Sequence, residues 1–245
     1  MRARSAALLE VIQTKTTLGI AAALLATLGA AECAEANLID NGSFESASSG
    51  SALPTGNGVA LPTGSTAMAG WTVFGGLTTD GLAWLPNGDI FSVATPFGTN
   101  FLDLTGYHDG RPYFGVTQTI ATTPGATYDL TFSLGVLQGS PIYGGPIGVT
   151  ATADSSSRDF TNYNPAGGGN IWQNFTLEFA ASSASTVISI QGIEGDQYIG
   201  LDNVAVNLSS GVPEPATWAT MLLGFAALGW VGYGKAKNKG RGLAA

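Results

Sequence analysis

Few side chains in this sequence are equipped for covalent or acid–base chemistry. The single histidine, His108, stands beside Asp109 with no Gly-x-Ser-x-Gly elbow, second histidine or metal-ligand spacing around it. A loop hydrogen bond therefore competes with any proton-transfer role. The single cysteine, Cys33, follows Glu32, where lipidation would need a small residue. No Gly-rich phosphate loop carrying a lysine is present. Glycoside hydrolysis needs two carboxylates, and residues 37–211 hold 13 acids, but their spacing in sequence singles out no pair. The better-supplied chemistry is recognition. A pyranose ring offers an apolar face to an aromatic side chain and its hydroxyls to amides and carboxylates. Trp84, Tyr107, Tyr143 and Tyr163 lie in Gly-, Pro- or Asn-rich stretches and are the candidate stacking residues; ordinary packing at a loop rim is the alternative. Trp71 and Trp172 read as core.

The elements that must position these groups read as β-strands. Tyr128, Leu130, Phe132 and Leu134 alternate with Thr127, Asp129, Thr131 and Ser133, the period of a half-buried strand. Phe175, Leu177 and Phe179 against Asn174, Thr176 and Glu178 repeat the pattern, as do Val204, Val206 and Leu208. Shorter candidates cover residues 101–104, 113–120, 147–151 and 187–191. Turn signals separate them: Thr123-Pro124-Gly125, Gly139-Ser140-Pro141, Gly144-Gly145-Pro146, residues 165–169 and Gly195-Asp196. No long helical period interrupts the series, so the expectation is an all-β antiparallel sandwich at residues 37–208. A domain of that size buries roughly 70% of its extended-chain surface, enough for stability without disulfides.

Charge excludes some partners. Residues 37–211 carry the 13 acids against Arg111 and Arg158, a net charge of −11, while the whole 245-residue chain stands at −8. Such a surface cannot neutralise phosphates, which excludes nucleic acid, and it repels anionic lipid headgroups.

The two ends differ from this middle. Arg2, Arg4 and Lys15 precede an uncharged run over residues 16–31 and small residues ending in Ala34-Glu35-Ala36. This is a signal-peptide pattern over residues 1–36, handled by signal peptidase and cut before Asn37, with a retained anchor as the alternative. After cleavage there the mature chain has no cysteine. At the other end, residues 209–215 form a linker holding Val212, Pro213, Glu214 and Pro215. An uncharged stretch over residues 216–234 and the cations Lys235, Lys237, Lys239 and Arg241 in a basic cytoplasmic tail, residues 235–245, complete it. Nineteen helical residues span ~28 Å, close to the thickness of a bilayer's hydrocarbon layer. Cations beyond the span hold that end in the cytoplasm, so the folded domain faces outward. The two prolines deny helix and keep the motif extended outside the bilayer.

This three-part tail closely resembles the PEP-CTERM sorting signal of Gram-negative bacteria that make exopolysaccharide. The resemblance covers residues 212–241. It implies recognition by an exosortase, a membrane-embedded cysteine transpeptidase that cuts near Pro-Glu-Pro and releases or transfers the protein to the cell surface or extracellular matrix.

The domain has a second likeness, carried by Asn37-Leu38-Ile39-Asp40-Asn41-Gly42-Ser43-Phe44-Glu45 at its start and Leu201-Asp202-Asn203-Val204-Ala205-Val206 at its end. Gly70-Trp71, Phe101-Leu102-Asp103-Leu104, Gln118-Thr119-Ile120 and Pro124-Gly125-Ala126-Thr127-Tyr128 add to it. It is similar to the galactose-binding-like jelly rolls, which include a plant cell-wall family of unknown activity and many bacterial carbohydrate-binding modules. In those modules a Glu of the opening motif and an Asp of the closing motif often meet at a structural calcium, roles that fall here on Glu45 and Asp202. The alternative is that each is a surface or turn-capping acid. Calcium takes six to eight oxygen ligands, and carboxylates gathered from distant strands repel without a cation. The expected function is an exported, noncatalytic domain that binds envelope or matrix polysaccharide. A structural matrix component without a discrete ligand and a glycoside-active enzyme are its rivals.

Overall fold

Alternating side chains set the long strands, and the order in which they pair sets two sheets. In the computed structural model the strands are β1 (Val59–Leu61), β2 (Thr72–Gly75), β3 (Leu82–Pro86), β4 (Asn100–Asp103), β5 (Phe114–Ala121), β6 (Thr127–Val136), β7 (Ile147–Ala153), β8 (Ser156–Asn162), β9 (Ile171–Ala180), β10 (Ser185–Glu194) and β11 (Gly200–Leu208), with a short 3-10 helix at Gly106–His108. The structure describes residues 37–77, 79–88, 94–108, 111–136, 145–163, 171–195, 198–209 and 221–226. The chain divides into two compact units, one of Glu35–Ser209 and one of Met1–Ala34 with Ser210–Ala245. Within the second unit residues 221–226 are helical, and among the described residues no helix is long and apolar enough to cross a membrane. The signal-peptide expectation, the motif at residues 212–215, most of the 216–234 span and the cations of residues 235–241 lie outside the described residues.

All pairings are antiparallel. One sheet has the order β1-β3-β4-β11-β6-β9, the other β2-β5-β10-β7-β8. Side chains from both sheets, among them Trp84, Leu102, Leu130, Phe132 and Val204 from the first and Val73, Val116, Val149, Ile188 and Ile190 from the second, fill one continuous core, which makes the domain a β-sandwich.

The expected strands are present, and four more emerge. The β3 strand escaped detection because it is buried on both faces and has no alternation. Leu82 and Trp84 enter the main core, while Ala83 and Leu85 join Phe101 and Tyr198 in a second apolar cluster. The β8 strand is a sheet edge, and its polar sequence reflects that position. Its one aromatic, Phe160, is buried beneath the Arg158 guanidinium, 4.3 Å from the ring centre. The short β1 and β2 lie in or beside Gly- and Pro-rich sequence that gives little periodic signal.

The opening and closing motifs meet across the fold. Asn37 Oδ1 accepts the backbone N–H groups of Ile39 and Val206, at 3.0 and 2.9 Å. Val204 N–H donates to the Gly42 carbonyl at 2.9 Å, an approach so close that a Cβ on Gly42 would collide with the Val204 carbonyl. The Trp71 indole N–H donates to the Asn41 carbonyl at 3.0 Å, and its ring packs 5.6 Å from that of the buried Phe44. The Gly-Trp pair thus pins the opening motif.

Candidate functional site

The outward face of the five-stranded sheet is laid out by strand register. Thr72, Thr117, Ser189, Thr152 and Ser157 stand opposite one another in a row that crosses all five strands. The next row holds Phe74, Gly115, Gln191, Thr150 and Asp159. At ~4.8 Å per strand each row is ~19 Å long. Hydroxyls within them are already oriented: Thr152 and Ser157 are 3.0 Å apart, and Thr150 donates to Asp159 at 2.6 Å.

Gly115 shapes the second row. A Cβ built there would meet Phe74 Cζ at 2.5 Å and Cε1 at 2.7 Å, so the half-buried phenyl ring lies on the sheet where a side chain would otherwise stand. Beside it opens a cleft of about 500 Å³ lined by Arg111, Pro112, Tyr113, Gln191, Gly192 and Ile193. Gly75, at φ +72°, brings the Phe74 strand against the Tyr113 carbonyl and the Gln191 amide. Gln191 Nε2 donates to that carbonyl at 3.3 Å. The Tyr113 hydroxyl donates to the Gly195 carbonyl at 2.6 Å, and the Arg111 guanidinium lies 5.4 Å from the Tyr113 ring centre. A bulge between Gly192 and Glu194 breaks the regular register at the cleft, a device that re-aims side chains beside sites. Gln191 links the two features, since it stands in the second row and also lines the cleft that holds Arg111.

A second cluster surrounds Asp202, on a bulge of β11 where Asn203 takes φ +54°. Asp202 is fully buried; its Oδ1 accepts the Asn203 N–H at 2.6 Å and its Oδ2 accepts the Thr95 hydroxyl. Burial pushes its carboxyl up to about 7, opposed by these two hydrogen bonds and reinforced by the charge of Glu45. The opening and closing acids are therefore brought into electrostatic contact. Glu45 itself accepts four hydrogen bonds, from Thr99 and Asn100 N–H at 2.6 and 2.7 Å and from Thr99 Oγ1 and Asn100 Nδ2 at 2.6 and 2.7 Å. Those donors use the lone-pair directions of both its oxygens, whereas each oxygen of Asp202 accepts one. Asp202 therefore keeps a lone-pair direction on each oxygen that an oxygen-seeking cation would need, while Glu45 is taken up in anchoring Thr99 and Asn100. Among the described residues no group of three or more His, Cys, Asp or Glu gathers as a metal site.

The other expected residues fall elsewhere. Trp84 is not a loop aromatic: it sits in β3 with 0% exposure, its indole N–H donating to the Phe44 carbonyl at 3.1 Å, and cannot stack on a ligand. The flanking Gly81, Pro86 and Gly88 suggested a loop around what is a doubly buried strand. Tyr107 is 42% exposed on the 3-10 helix, with its hydroxyl donating to the Asn57 carbonyl at 2.7 Å. Tyr163 is 57% exposed just after β8. Neither lines the cleft. Tyr143, Asp109 and the His108 side chain lie outside the described residues. Sequence reading missed Phe74, Arg111, Tyr113 and Gln191. Two signals pointed to them: Gly75-Gly76 directly after Phe74, and the rarity of Arg111 in so acidic a domain.

Several solved structures are similar to this chain. A putative sugar binding protein from Bacteroides thetaiotaomicron VPI-5482 is 15% identical, with a TM-score of 0.43, covering 71% of this chain and 100% of its own. A CBM4 structure is 17% identical, with a TM-score of 0.39, covering 70% and 99%. The CBM22-1 xylan-binding domain from Paenibacillus barcinonensis Xyn10C is 13% identical, with a TM-score of 0.38, covering 66% and 100%. None of these similarities bears on the role of an individual residue. No curated protein matches the chain significantly. Residues 37–207 match the family described as protein of unknown function (DUF642), well over half of the sequence, and the chain belongs to that family.

Proposed function

We propose that this protein is a noncatalytic polysaccharide-binding domain, carried to the cell surface or extracellular matrix by a signal peptide and an exosortase-sorted tail. The observation that carries the binding reading is the Phe74 ring lying over Gly115 beside the cleft. A flat, half-buried ring supports the apolar face of a pyranose, and Gln191 with the hydroxyl rows supplies partners for its hydroxyls. The ~19 Å rows suit an extended chain crossing the strands. Polysaccharide binding by the Phe74→Ala protein tests the reading. Affinity is expected to fall while the melting temperature stays near wild type, and undiminished binding would sink it.

The sorting reading rests on the residues of the two ends: Arg2, Arg4 and Lys15 before an apolar run, and Pro213-Glu214-Pro215 before an apolar span closed by Lys235, Lys237, Lys239 and Arg241. Intact mass of the protein recovered from its native envelope is expected to lack residues 1–36 and the stretch beyond the motif. Recovery with both ends intact would contradict it.

Calcium is the cation this reading assigns to Asp202, completed by backbone carbonyls, with Glu45 contributing charge. The burial of the Asp202 carboxyl near the charge of Glu45, which raises its pKa, supports it, because a hard divalent cation relieves both the desolvation and the repulsion.

A further inference from the structure

Arg111 is one of two cations in residues 37–211, against 13 acids. Arg158, the other, is stacked on Phe160 at the sheet edge. Arg111 instead lines the cleft, its guanidinium over Tyr113, and among the described residues no carboxylate pairs with it. An arginine lining a cleft beside an aromatic ring places a planar donor fork within reach of a ligand there.

We infer that the cleft recognises a carboxylate-bearing sugar, a uronic acid unit set within an otherwise neutral polysaccharide. The inference rests on the polysaccharide-binding reading and names the class of glycan. A guanidinium matches a carboxylate with two parallel N–H···O bonds, while the neighbouring amide of Gln191 and ring of Phe74 engage neutral parts of the chain. The same charges set a limit on anion density. With a net charge of −11 on residues 37–211, each carboxylate beyond the one at Arg111 enters a repulsive field. Asp159, two strands along the row from Gln191 and thus ~10 Å away, opposes a second anionic unit on that face. One uronate among neutral units fits; an unbroken polyuronate does not.

The experiment uses the full-length protein in affinity electrophoresis against gellan and glucuronoxylan, each beside its carboxyl-reduced form, with alginate as a dense polyuronate and dextran sulfate as a sulfate source. Wild type is expected to bind an acidic polymer at least tenfold more tightly than its reduced counterpart and more tightly than alginate. Arg111→Gln is expected to bind the acidic and reduced forms alike, and Arg111→Lys to recover part of the difference. Equal affinity of wild type for the acidic and reduced forms, or a preference untouched in Arg111→Gln, overturns the inference. Tightest binding to dextran sulfate overturns the carboxylate assignment in favour of sulfate. Phe74-dependent binding that ignores the carboxylate defeats this inference alone, whereas failure to bind every polymer defeats the polysaccharide reading with it.

Discussion

At Gly115 the missing side chain decides where the Phe74 ring goes. Any Cβ there would displace the ring from the face it shares with Gln191. At Asp202 the missing solvent decides the protonation state. Its carboxyl has an ordinary value of 3.8 and one of about 7 in the fold. Below pH 3.8 both states hold the proton and the group favours folding in full. Between 3.8 and 7 the unfolded chain ionises first, so stability falls as pH rises, and above 7 the loss is constant. Three units at about 1.4 kcal/mol each set an upper bound of ~4 kcal/mol on that loss. Calcium reverses the sign, because it holds the ionised form. In chelator at pH 8, Asp202→Asn is therefore expected to melt above wild type. With millimolar calcium the wild type is expected to rise past the variant, which itself stays unmoved. Identical wild-type melting with and without calcium would remove the cation from Asp202.

At the scale of the element, legibility followed the number of faces a strand exposes. Burial alternates in the first half of β6 and the second half of β9, and there the alternation is visible in the residues. The β3 strand shows water neither face, so Leu82-Ala83-Trp84-Leu85 carries no period and its tryptophan was read as a loop aromatic. For the same reason Trp84 belongs to stability. Trp84→Phe loses the hydrogen bond to the Phe44 carbonyl and some packing volume, and is expected to cost about 2 kcal/mol in urea unfolding. Its polysaccharide affinity is expected to match wild type; a selective loss of binding at unchanged stability would return Trp84 to the ligand site. The row that holds the Phe74 ring beside Gln191 was illegible because register assembles it. Phe74, Gly115 and Gln191 are far apart in sequence, and their alignment depends on which strands pair. The Glu45 and Asp202 motifs were legible because each is a compact run of residues whose backbone positions are individually constrained, with Asn41, Phe44 and Asn203 all at positive φ.

Across the whole molecule, charge and the lining of the cleft bear on the choice of partner. An acidic domain is unsuited to nucleic acid and to anionic membrane surfaces, and its cleft offers neutral and aromatic contacts around a single guanidinium. Composition alone carried that expectation, since net charge needs no knowledge of the fold. Binding of polysaccharide on the open face of the five-stranded sheet is read from titration of wild type and Phe74→Ala with one glycan that wild type retains, with Tyr163→Ala as the control. Phe74→Ala is predicted to weaken binding at least tenfold, ~1.4 kcal/mol, with Tyr163→Ala unchanged. Full affinity in Phe74→Ala, or a loss confined to Tyr163→Ala, would mean that the glycan binds elsewhere.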